Sequence, residues 1–269
     1  MDKKILGLIA GSGKFPLLFA QKAKSRGYSV VAAAIRGDTS FALKFFVDKF
    51  AWFKAGELKK LFAFFARQGV REVVMAGQVD PDNLFEKNVV FDKEFQKIFD
   101  AIRDRKADTI FSAIADKLQS QGIRLVDSTF LLKEYLAPKG TLTQRAPTER
   151  ELDDIEFGRN IAKAMGGLDV GQTVVVKEKA ILAIEAMEGT DRTIARGAGI
   201  ARDGAVVVKM SKPNQDLRFD VPVVGPRTLQ TMIRARARCL GIEAGKTLLI
   251  DRDRCVRLAN KAGICIVAA

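Results

Sequence analysis

The sequence predicts an α/β protein built from two domains. Short apolar runs that suit buried strands alternate with longer segments in which apolar residues recur at helical spacing. The alternation stops only at residues 137–147, a stretch with glycine, two prolines and no periodicity. Within the 269 residues we therefore expect an N-terminal domain over 1–136, a linker over 137–147 and a C-terminal α/β domain over 148–269.

The N-terminal domain begins with a predicted strand, a glycine turn and a helix. The apolar run Ile5–Ala10 leads into Gly11, Ser12 and Gly13, and helical spacing follows until Gly27. Residues 30–35 are predicted to form a second buried strand. Such a unit is the start of a Rossmann-like fold, whose glycine turn can bring backbone N–H groups against a phosphate.

The same turn is a weak dinucleotide fingerprint. Pro16 stands where G-x-G-x-x-G has its third glycine, and Arg36 rather than an acid ends the second strand. An NAD(P)-dependent oxidoreductase remains one alternative function on the basis of this unit.

Residues 41–65 are rich in phenylalanine and lysine. One interpretation is a surface that contacts lipid, by analogy with interfacial amphipathic segments. The interpretation we favour is a strand near residues 47–53 and a helix from Glu57, with the phenylalanines in the core and the lysines in water. The predicted strand Glu72–Ala76 then ends at Gly77 and Gln78, in a loop through Pro81 at the carboxyl end, where open α/β sheets bind ligands.

The remaining elements are predicted from the same periodicities. In the N-terminal half they are helices over 91–102 and 110–118, a strand over 122–126 and a short helix over 129–135. The C-terminal half opens with a helix from Thr148 to Gly167, followed by two strands within 173–184 and a strand over 205–208. A basic helix from Pro226 carries Arg227, Arg234, Arg236 and Arg238, and a strand, a helix and a strand complete the chain.

Composition limits the classes of function. The chain has no histidine, which excludes a Ser-His-Asp or Cys-His nucleophile and most catalytic zinc sites. A net charge of +13 favours anionic partners such as nucleic acid, phosphorylated metabolites or a membrane surface. A basic nucleic-acid-binding protein is thus a second alternative, although no helix-turn-helix, RRM or zinc pattern supports it. Three widely spaced cysteines indicate a reducing, cytoplasmic compartment, and no apolar run reaches the roughly 20 residues of a spanning helix.

Two acidic segments follow strand-like runs. The first extends from Glu185 through Glu188 to Asp191, and the second, residues 212–222, includes Asp216 and Asp220. Carboxylates are the ligands that Mg²⁺ or Mn²⁺ accepts, and nearby lysine or arginine can neutralise phosphate charge. The other interpretation is a pair of solvated loops whose acids and bases pair with each other. We expect the second segment to project from residues 206–208 toward the first.

Five segments, in this order and spacing, resemble the LpxI-type UDP-2,3-diacylglucosamine pyrophosphatases of lipid A biosynthesis. They are residues 9–16, 75–79, 168–172, 185–191 and 212–225. The resemblance implies a Rossmann-like N-terminal domain, a separate C-terminal domain, and a metal-dependent hydrolase that yields UMP and 2,3-diacylglucosamine 1-phosphate (lipid X). It places Asp220 on the essential aspartate of the family.

The resemblance also implies roles for other residues. Glu185, Glu188, Thr190 and Asp191 fall on the second acidic motif, and Gly11, Ser12 and Gly13 on the nucleotide-side loop. The predicted catalytic residues are Asp220, Glu188, Asp191 and Lys212. The predicted ligands of Mg²⁺ or Mn²⁺ are Asp220, Glu185, Glu188 and Asp191. The predicted substrate contacts are Gly11, Ser12, Gly13, Gly77, Gln78, Gln172 and Thr190. The implied partner is a UDP-linked diacylated glucosamine lipid, with peripheral contact at the cytoplasmic membrane face and a homodimer left open.

Overall fold

The chain is divided into two compact units. The structure, a computed structural model, describes residues 4–79, 91–104 and 106–269. The first unit comprises Met1–Lys133 together with Asp216–Asp220, and the second comprises Glu134–Gln215 together with Val221–Ala269. Asp80 and Pro81 of the loop predicted after the strand Glu72–Ala76 lie outside the described residues.

The N-terminal unit contains a five-stranded parallel sheet. Its strands are β1 (Ile5–Ala10), β2 (Ser29–Ile35), β3 (Lys49–Phe53), β4 (Glu72–Ala76) and β5 (Arg124–Leu125). They are arranged in the order β3-β2-β1-β4-β5. This is the start of the Rossmann strand order, with the reversal between β1 and β4. The Rossmann-like prediction is confirmed.

Helices connect these strands and cover the sheet. They are α1 (Phe15–Ser25), α2 (Leu58–Arg67), α3 (Lys93–Ala101) and α4 (Ala107–Ser120), with a 3-10 helix at Phe41–Phe46. Apolar residues of α2, α3 and α4 form one buried cluster with side chains of β2, β3 and β4. The short helix predicted over 129–135 is present only as a 3-10 turn at Lys133–Tyr135, after a run of turns.

The phenylalanine-rich passage is divided between core and surface. Phe53, Phe62 and Phe65 are buried, as the favoured interpretation predicted, because α2 and β3 face the core. Phe41 and Phe45 on the 3-10 helix are exposed, at 55% and 76% of their full area. The sequence could not separate these two groups because both show the same alternation with lysine.

The C-terminal unit contains a mixed six-stranded sheet in the order β6-β13-β11-β9-β7-β8. Its strands are β6 (Gly140–Thr141), β7 (Thr173–Lys177), β8 (Ala180–Ile184), β9 (Val206–Lys209), β11 (Cys239–Ile242) and β13 (Cys265–Ala268). β9, β11 and β13 are parallel, whereas β7 is antiparallel to both β8 and β9. A separate parallel pair joins β10 (Val223–Val224) to β12 (Leu248–Leu249).

The alternating side chains of these strands build a core on each face of the sheet. Val174, Val176, Val206 and Val208 pack with α5 (Glu149–Gly167). The intervening residues Val175 and Val207 pack on the opposite face with the other three helices of this unit, α6 (Thr190–Ala201), α7 (Pro226–Arg234) and α8 (Arg252–Ala262). Strands buried on both faces explain why these runs are continuously apolar.

Three details differ from the sequence prediction. Thr190–Ala201 is a helix, where only an acidic loop was expected. The basic helix ends at Arg234, and Arg236 has a φ of +58°, so Arg236 and Arg238 lie outside it and lead into the unpredicted strand β11. Residues 140–141, expected in a linker, pair with β13 at the edge of the C-terminal sheet. Among the described residues no helix is long and apolar enough to cross a membrane.

Candidate functional site

The turns that follow β1 and β4 lie against each other at the carboxyl edge of the N-terminal sheet. The N–H of Gly11 donates to Ala76 O at 2.8 Å, and the N–H of Ser12 donates to Gln78 O at 2.7 Å. A Cβ on Gly77 would lie 2.4 Å from Ser12 O, and the φ of Gly77 is +86°. Only glycine fits here. The structure therefore brings the predicted residues Gly11, Ser12, Gly77 and Gln78 together, with Gly13 next to them.

The Asp216–Asp220 segment belongs to this same unit. Ser128, three residues after β5, holds it in place. The Ser128 hydroxyl donates to Met75 O at 2.6 Å and to Arg218 O at 2.7 Å, and the Ser128 N–H donates to Leu217 O at 2.9 Å. The ring of Phe219 lies 5.5 Å from that of Phe111 and packs on the N-terminal core. Apolar packing and backbone hydrogen bonds thus place the segment beside the ends of β4 and β5.

Within this segment the Asp216 carboxylate is paired with a neighbouring arginine. The Asp216 carboxylate accepts from Arg218 Nη2 at 2.7 Å and from Arg218 Nε at 3.0 Å. Burial alone would raise the pKa of Asp216, but the hydrogen bonds from Arg218 outweigh it and the pKa lies below the ordinary value. The Asp220 N–H donates to Asp216 O at 3.0 Å. Asp216 is therefore committed to a structural pair.

Asp220 and the Glu185–Asp191 motif are found in different units. We expected residues 212–222 to project from β9 toward the Glu185–Asp191 loop. Asp220 is grouped with the N-terminal unit, and Glu185, Glu188 and Asp191 with the C-terminal unit, so the predicted acidic residues come from both units. The physical reason is the packing of Phe219 and the hydrogen bonds of Ser128, neither of which is visible in the local sequence.

The C-terminal unit gathers several predicted residues at one edge of its sheet. Because β7 is antiparallel to β8 and β9, the start of β7 lies beside the ends of both neighbours. Thr173 is paired with Lys209, and the Glu185 N–H donates to Thr173 O at 2.8 Å. Gln172 lies just before β7, and its carbonyl accepts from Met210 N–H at 3.0 Å. Gln172, Glu185 and Lys212 are thereby brought to the same edge.

A buried polar network joins Glu185 to Thr190 and to Lys209, a residue that the sequence did not single out. The Thr190 hydroxyl donates to Glu185 Oε1 at 2.8 Å. Lys209 Nζ donates to Thr190 Oγ1 at 2.8 Å and to Thr173 Oγ1 at 3.2 Å. Glu185 Oε2 is buried without a hydrogen bond and lies 3.7 Å from Lys209 Nζ. The network holds a carboxylate and an ammonium side by side in a largely dry environment.

Gly171 allows the chain before β7 to lie close to Glu185. A Cβ at position 171 would lie 2.1 Å from Glu185 O, closer than any side chain can approach. The backbone before β7 can therefore pass directly over the end of β8 only because residue 171 has no side chain.

Lys212 is buried and paired. Its ammonium group contacts Asp169 Oδ1, and its N–H donates to Gln215 Oε1 at 2.7 Å. Asp169 itself has a φ of +58°, in the left-handed region. The side chain of Lys212 is 8% exposed. It can supply positive charge at this edge, although the ion pair with Asp169 fixes its direction.

Glu188 and Asp191 have partners of their own. Glu188 Oε1 accepts from Arg196 Nη2 at 2.6 Å, and its Oε2 accepts from Ala186 N–H at 3.0 Å. Burial raises the pKa of Glu188, but Arg196 and the backbone donors outweigh this and the pKa is lowered. Asp191 Oδ2 lies 2.7 Å from Arg227 Nε. Each of the three acids of the motif thus lies beside a different cation: Glu185 beside Lys209, Glu188 beside Arg196 and Asp191 beside Arg227.

Metal binding depends on how these carboxylates are arranged. Within the described residues, no group of three or more Asp, Glu, Cys or His side chains is arranged to hold a metal ion. Mg²⁺, however, commonly uses one or two carboxylates and completes its octahedron with water and substrate phosphates. The oxygen donors present fit an ion that is bound jointly with a phosphorylated substrate, rather than a preformed all-protein cage.

Several residues at these edges were not predicted from the sequence. They are Ser128, Lys163, Lys209, Ser211 and Glu243. Glu243 follows β11 and accepts from Lys163 Nζ at 2.6 Å and from Ser211 Oγ at 2.5 Å. Position was a signal for Lys209 and Ser211, which lie just beyond the predicted strand over 205–208, but not for Glu243, which follows the unpredicted strand β11.

Comparison with known proteins identifies two matching domain families. The family model described as "LpxI N-terminal domain" matches residues 5–135, and the one described as "LpxI C-terminal domain" matches residues 138–267. A relative from Caulobacter vibrioides, named UDP-2,3-diacylglucosamine pyrophosphatase LpxI, is 28% identical over 275 residues. That alignment covers 97% of this chain and 96% of the relative.

Two solved structures show a much weaker likeness. The biotin carboxylase domain of the Hydrogenobacter thermophilus 2-oxoglutarate carboxylase is 11% identical with a TM-score of 0.29, over 75% of this chain and 42% of that chain. The biotin carboxylase subunit of pyruvate carboxylase is 12% identical with a TM-score of 0.28, over 68% of this chain and 38% of that one. The matched region is thus less than half of either of those chains.

Proposed function

This chain belongs to the LpxI family, and from that premise we propose that it hydrolyses the pyrophosphate bond of UDP-2,3-diacylglucosamine. The products are UMP and 2,3-diacylglucosamine 1-phosphate. The observation that carries the proposal is the alignment to the Caulobacter vibrioides UDP-2,3-diacylglucosamine pyrophosphatase over 97% of the chain. The family finding favours neither an NAD(P)-dependent oxidoreductase nor a nucleic-acid-binding protein.

In this proposal the N-terminal unit binds the nucleotide half of the substrate. In a sheet of Rossmann order, ligands bind beyond the carboxyl ends of the strands where the order reverses. That point lies between β1 and β4, where the turns containing Ser12 and Gln78 are joined. We assign Gly11, Ser12, Gly13, Gly77 and Gln78 to the UDP half, with its phosphates beside the turn that leads into the N-terminus of α1. The N–H groups of Gly11 and Ser12 join this turn to the one after β4 and are not donors to phosphate.

We assign the central chemical role to Asp220. Hydrolysis adds water across the P–O–P bridge, with OH bound to one phosphorus and the proton passed to the departing phosphate. The Asp220 carboxylate can orient the attacking water and accept its proton. It belongs to the same unit as the nucleotide-side turns.

A divalent cation is part of the proposal. Asp220 would hold Mg²⁺ or Mn²⁺ together with phosphate oxygens of the substrate, and Glu185, Glu188 and Asp191 are the further ligands that the family resemblance implies. When bound, the ion supplies charge neutralisation at the pyrophosphate and lowers the pKa of a bound water. Lys212 is proposed to stabilise charge on the departing phosphate.

The C-terminal edge supports this assignment by its chemistry. The neutral side chains of Gln172 and Thr190 lie at the same edge as the cations Lys209 and Lys212, and the Thr190 hydroxyl links Glu185 to Lys209. Polar groups and cations of this kind suit the phosphate and hydroxyl groups of a glucosamine 1-phosphate. The ion pair of Lys212 with Asp169 would keep the ammonium group in place as charge develops on the product.

We also propose that the protein contacts the cytoplasmic membrane face peripherally, where its lipid substrate resides. The support is the exposed aromatic pair of Phe41 and Phe45, whose ring centroids lie 5.9 Å apart. Lys44 Nζ lies 5.5 Å from the centre of the Phe41 ring, so a cation lies beside the apolar surface. Phenylalanines flanked by lysines suit the boundary between anionic headgroups and acyl chains.

The direct test is hydrolysis by the purified protein with Mg²⁺ present. We expect UDP-2,3-diacylglucosamine to yield UMP and the diacylated sugar phosphate in equal amounts. In ¹⁸O-labelled water, the label will identify the phosphorus that is attacked. UDP-N-acetylglucosamine serves as the unacylated control substrate. Absence of UMP release at high enzyme concentration, or equal rates with both substrates, would refute the proposal.

A further inference from the structure

The chain that carries Asp220 leaves the C-terminal unit after Gln215 and returns to it at Val221. It therefore has two ends in that unit, an outgoing end at residues 210–215 and a returning end at residues 221–224. The position of Asp220, one residue before the returning end, depends on how firmly both ends are held. Both are held by the same short stretch of chain, residues 243–250.

Glu243 fastens the outgoing end. Its Oε2 accepts from the Ser211 N–H at 3.0 Å, from the Ser211 hydroxyl at 2.5 Å and from Lys163 Nζ at 2.6 Å. Lys163 Nζ also donates to Ser211 Oγ at 3.1 Å. The side chain of Glu243 is 15% exposed, so these charge-assisted bonds are shielded from water. Ser211 immediately precedes Lys212, so the same bonds fix the backbone at Lys212.

The returning end is held a few residues further along. The Leu248 N–H donates to Pro222 O at 2.8 Å, and the Ile250 N–H donates to Val224 O at 2.9 Å. Glu243 is coupled to this end through its own turn. The Thr247 N–H donates to Glu243 O at 3.1 Å, and Lys246 Nζ lies 2.9 Å from Glu243 Oε1.

We propose that Glu243 is a positioning residue for the proposed hydrolysis, which acts by fixing both ends of the chain that carries Asp220. Its carboxylate holds Ser211 at the outgoing end and orders the turn that binds Pro222 at the returning end. Glu243 itself makes no contact with the reacting atoms in this scheme. The expected effect on kcat rests on the proposed function. The expected effect on how firmly the two chain ends are held can be measured without substrate.

The experiment compares Glu243→Gln with the parent protein by amide hydrogen exchange and by kinetics. We expect exchange at residues 209–222 and 245–250 to be at least tenfold faster, with residues 173–184 unchanged. With UDP-2,3-diacylglucosamine we expect kcat to fall at least tenfold while KM stays within threefold, since orientation rather than affinity is lost. Ser211→Ala, which removes the hydroxyl's two bonds, to Glu243 and from Lys163, and keeps the carboxylate, should show the same pattern with a smaller loss.

The matched control is Glu156→Gln, the same chemical change on an exposed residue of α5 that makes a long ion pair with Arg159, at 3.7 Å. It should alter neither exchange nor kcat. Unchanged exchange in both test variants would overturn the proposal. So would a fall in kcat/KM that comes from a higher KM with kcat unchanged. If the parent itself releases no UMP, the proposed function fails, and the exchange result alone decides whether Glu243 fixes the two ends.

Discussion

The hydroxyl of Ser128 donates to the carbonyl oxygen of Arg218, 90 residues further along the chain, at 2.7 Å. The same hydroxyl contacts Met75 O in β4. One small side chain thus joins β4 to the segment that carries Asp220. The membership of Asp220 in the N-terminal unit depends on this contact and on the packing of Phe219.

Removing the Asp220 carboxylate should stop the reaction without unfolding the protein. For Asp220→Ala we expect a loss in kcat of roughly a hundredfold or more, the scale of losing general-base help, with binding of the intact UDP-lipid retained. Asp216→Ala should cost less, because its carboxylate holds Arg218 whereas its carbonyl, which accepts from Asp220 N–H, survives the substitution. Steady-state kinetics and calorimetric melting distinguish the two. Equal losses, or a much lower Tm for Asp220→Ala, would contradict this assignment.

Activity should depend on a divalent cation. The described residues contain no three-carboxylate group, so we expect weak binding of the ion alone and firmer binding once substrate phosphates complete its coordination. Chelation should abolish UMP release, and Mg²⁺ or Mn²⁺ should restore it, with the apparent affinity for the ion rising as substrate is added. Full activity after exhaustive chelation would show that the carboxylates act alone.

Lys209 should be a stability determinant of the C-terminal unit. Lys209→Met keeps the apolar stem but leaves the buried Glu185 carboxylate without its cation. Loss of one partner of a buried pair costs roughly 3 kcal/mol or more. Adding Glu185→Gln to this variant should recover part of the lost stability, because neither member of the pair then leaves an uncompensated buried charge. The quantities to compare are the free energies of unfolding in urea, and a double variant as unstable as the sum of the single ones would argue against a coupled pair.

Glu243 should stabilise the fold in a pH-dependent way. Burial raises its pKa, but hydrogen bonds from Lys163 and Ser211 outweigh burial and lower it from 4.5 to about 2. A shift of this size corresponds to about 3 kcal/mol. Because the folded-state pKa is depressed, that contribution is complete above the unfolded pKa and is lost as the pH falls from about 4.5 toward 2.

Urea unfolding of the parent and of Glu243→Gln over this range provides the measurement. The gap between their unfolding free energies should be constant between about pH 6 and pH 8 and should narrow as the carboxylate of the parent is protonated. A gap that stays the same at pH 3 would mean that Glu243 does not titrate with a depressed pKa.

The exposed aromatic pair should mediate membrane adsorption. We expect the parent protein to co-sediment with vesicles rich in anionic lipid at low salt, and Phe41→Ser combined with Phe45→Ser to weaken that binding roughly tenfold. Ile200→Ser is a suitable control, since Ile200 is 61% exposed but lies on α6 in the C-terminal unit. Vesicle binding unaffected by the double variant would locate any membrane contact elsewhere.

The fold could be predicted where periodicity is strong. β1, α1 and β4 were predicted almost to the residue, because buried parallel strands are short apolar runs and α1 has a regular apolar face. Helix α6 was missed, since Gly197 and Gly199 obscure its pattern. A Cβ on Gly197 would lie 2.6 Å from Val175 Cβ, so the glycine that weakens the signal is required by close packing against β7.

The candidate site could be predicted only in part. Acidic motifs and glycine turns are local, and the structure places each in a coherent arrangement at a sheet edge. Lys209 and Glu243 were missed because each is a single charge beside an apolar run, and their importance comes from neighbours brought together by strand pairing. The membership of Asp216–Asp220 in the N-terminal unit depends on contacts between residues far apart in sequence, which no local pattern records.

The contact between Ser128 and Arg218 also has a consequence for synthesis. At translation rates of about 5 to 20 residues per second, the ribosome adds Arg218 roughly 5 to 18 seconds after Ser128. During that interval the nascent N-terminal half lacks the carbonyl groups of Leu217 and Arg218, which Ser128 contacts, and the Phe219 ring that packs against Phe111. A fragment ending near residue 135 would lack these contacts permanently. The N-terminal unit is therefore compact in the folded protein but is not encoded by one continuous segment of the sequence.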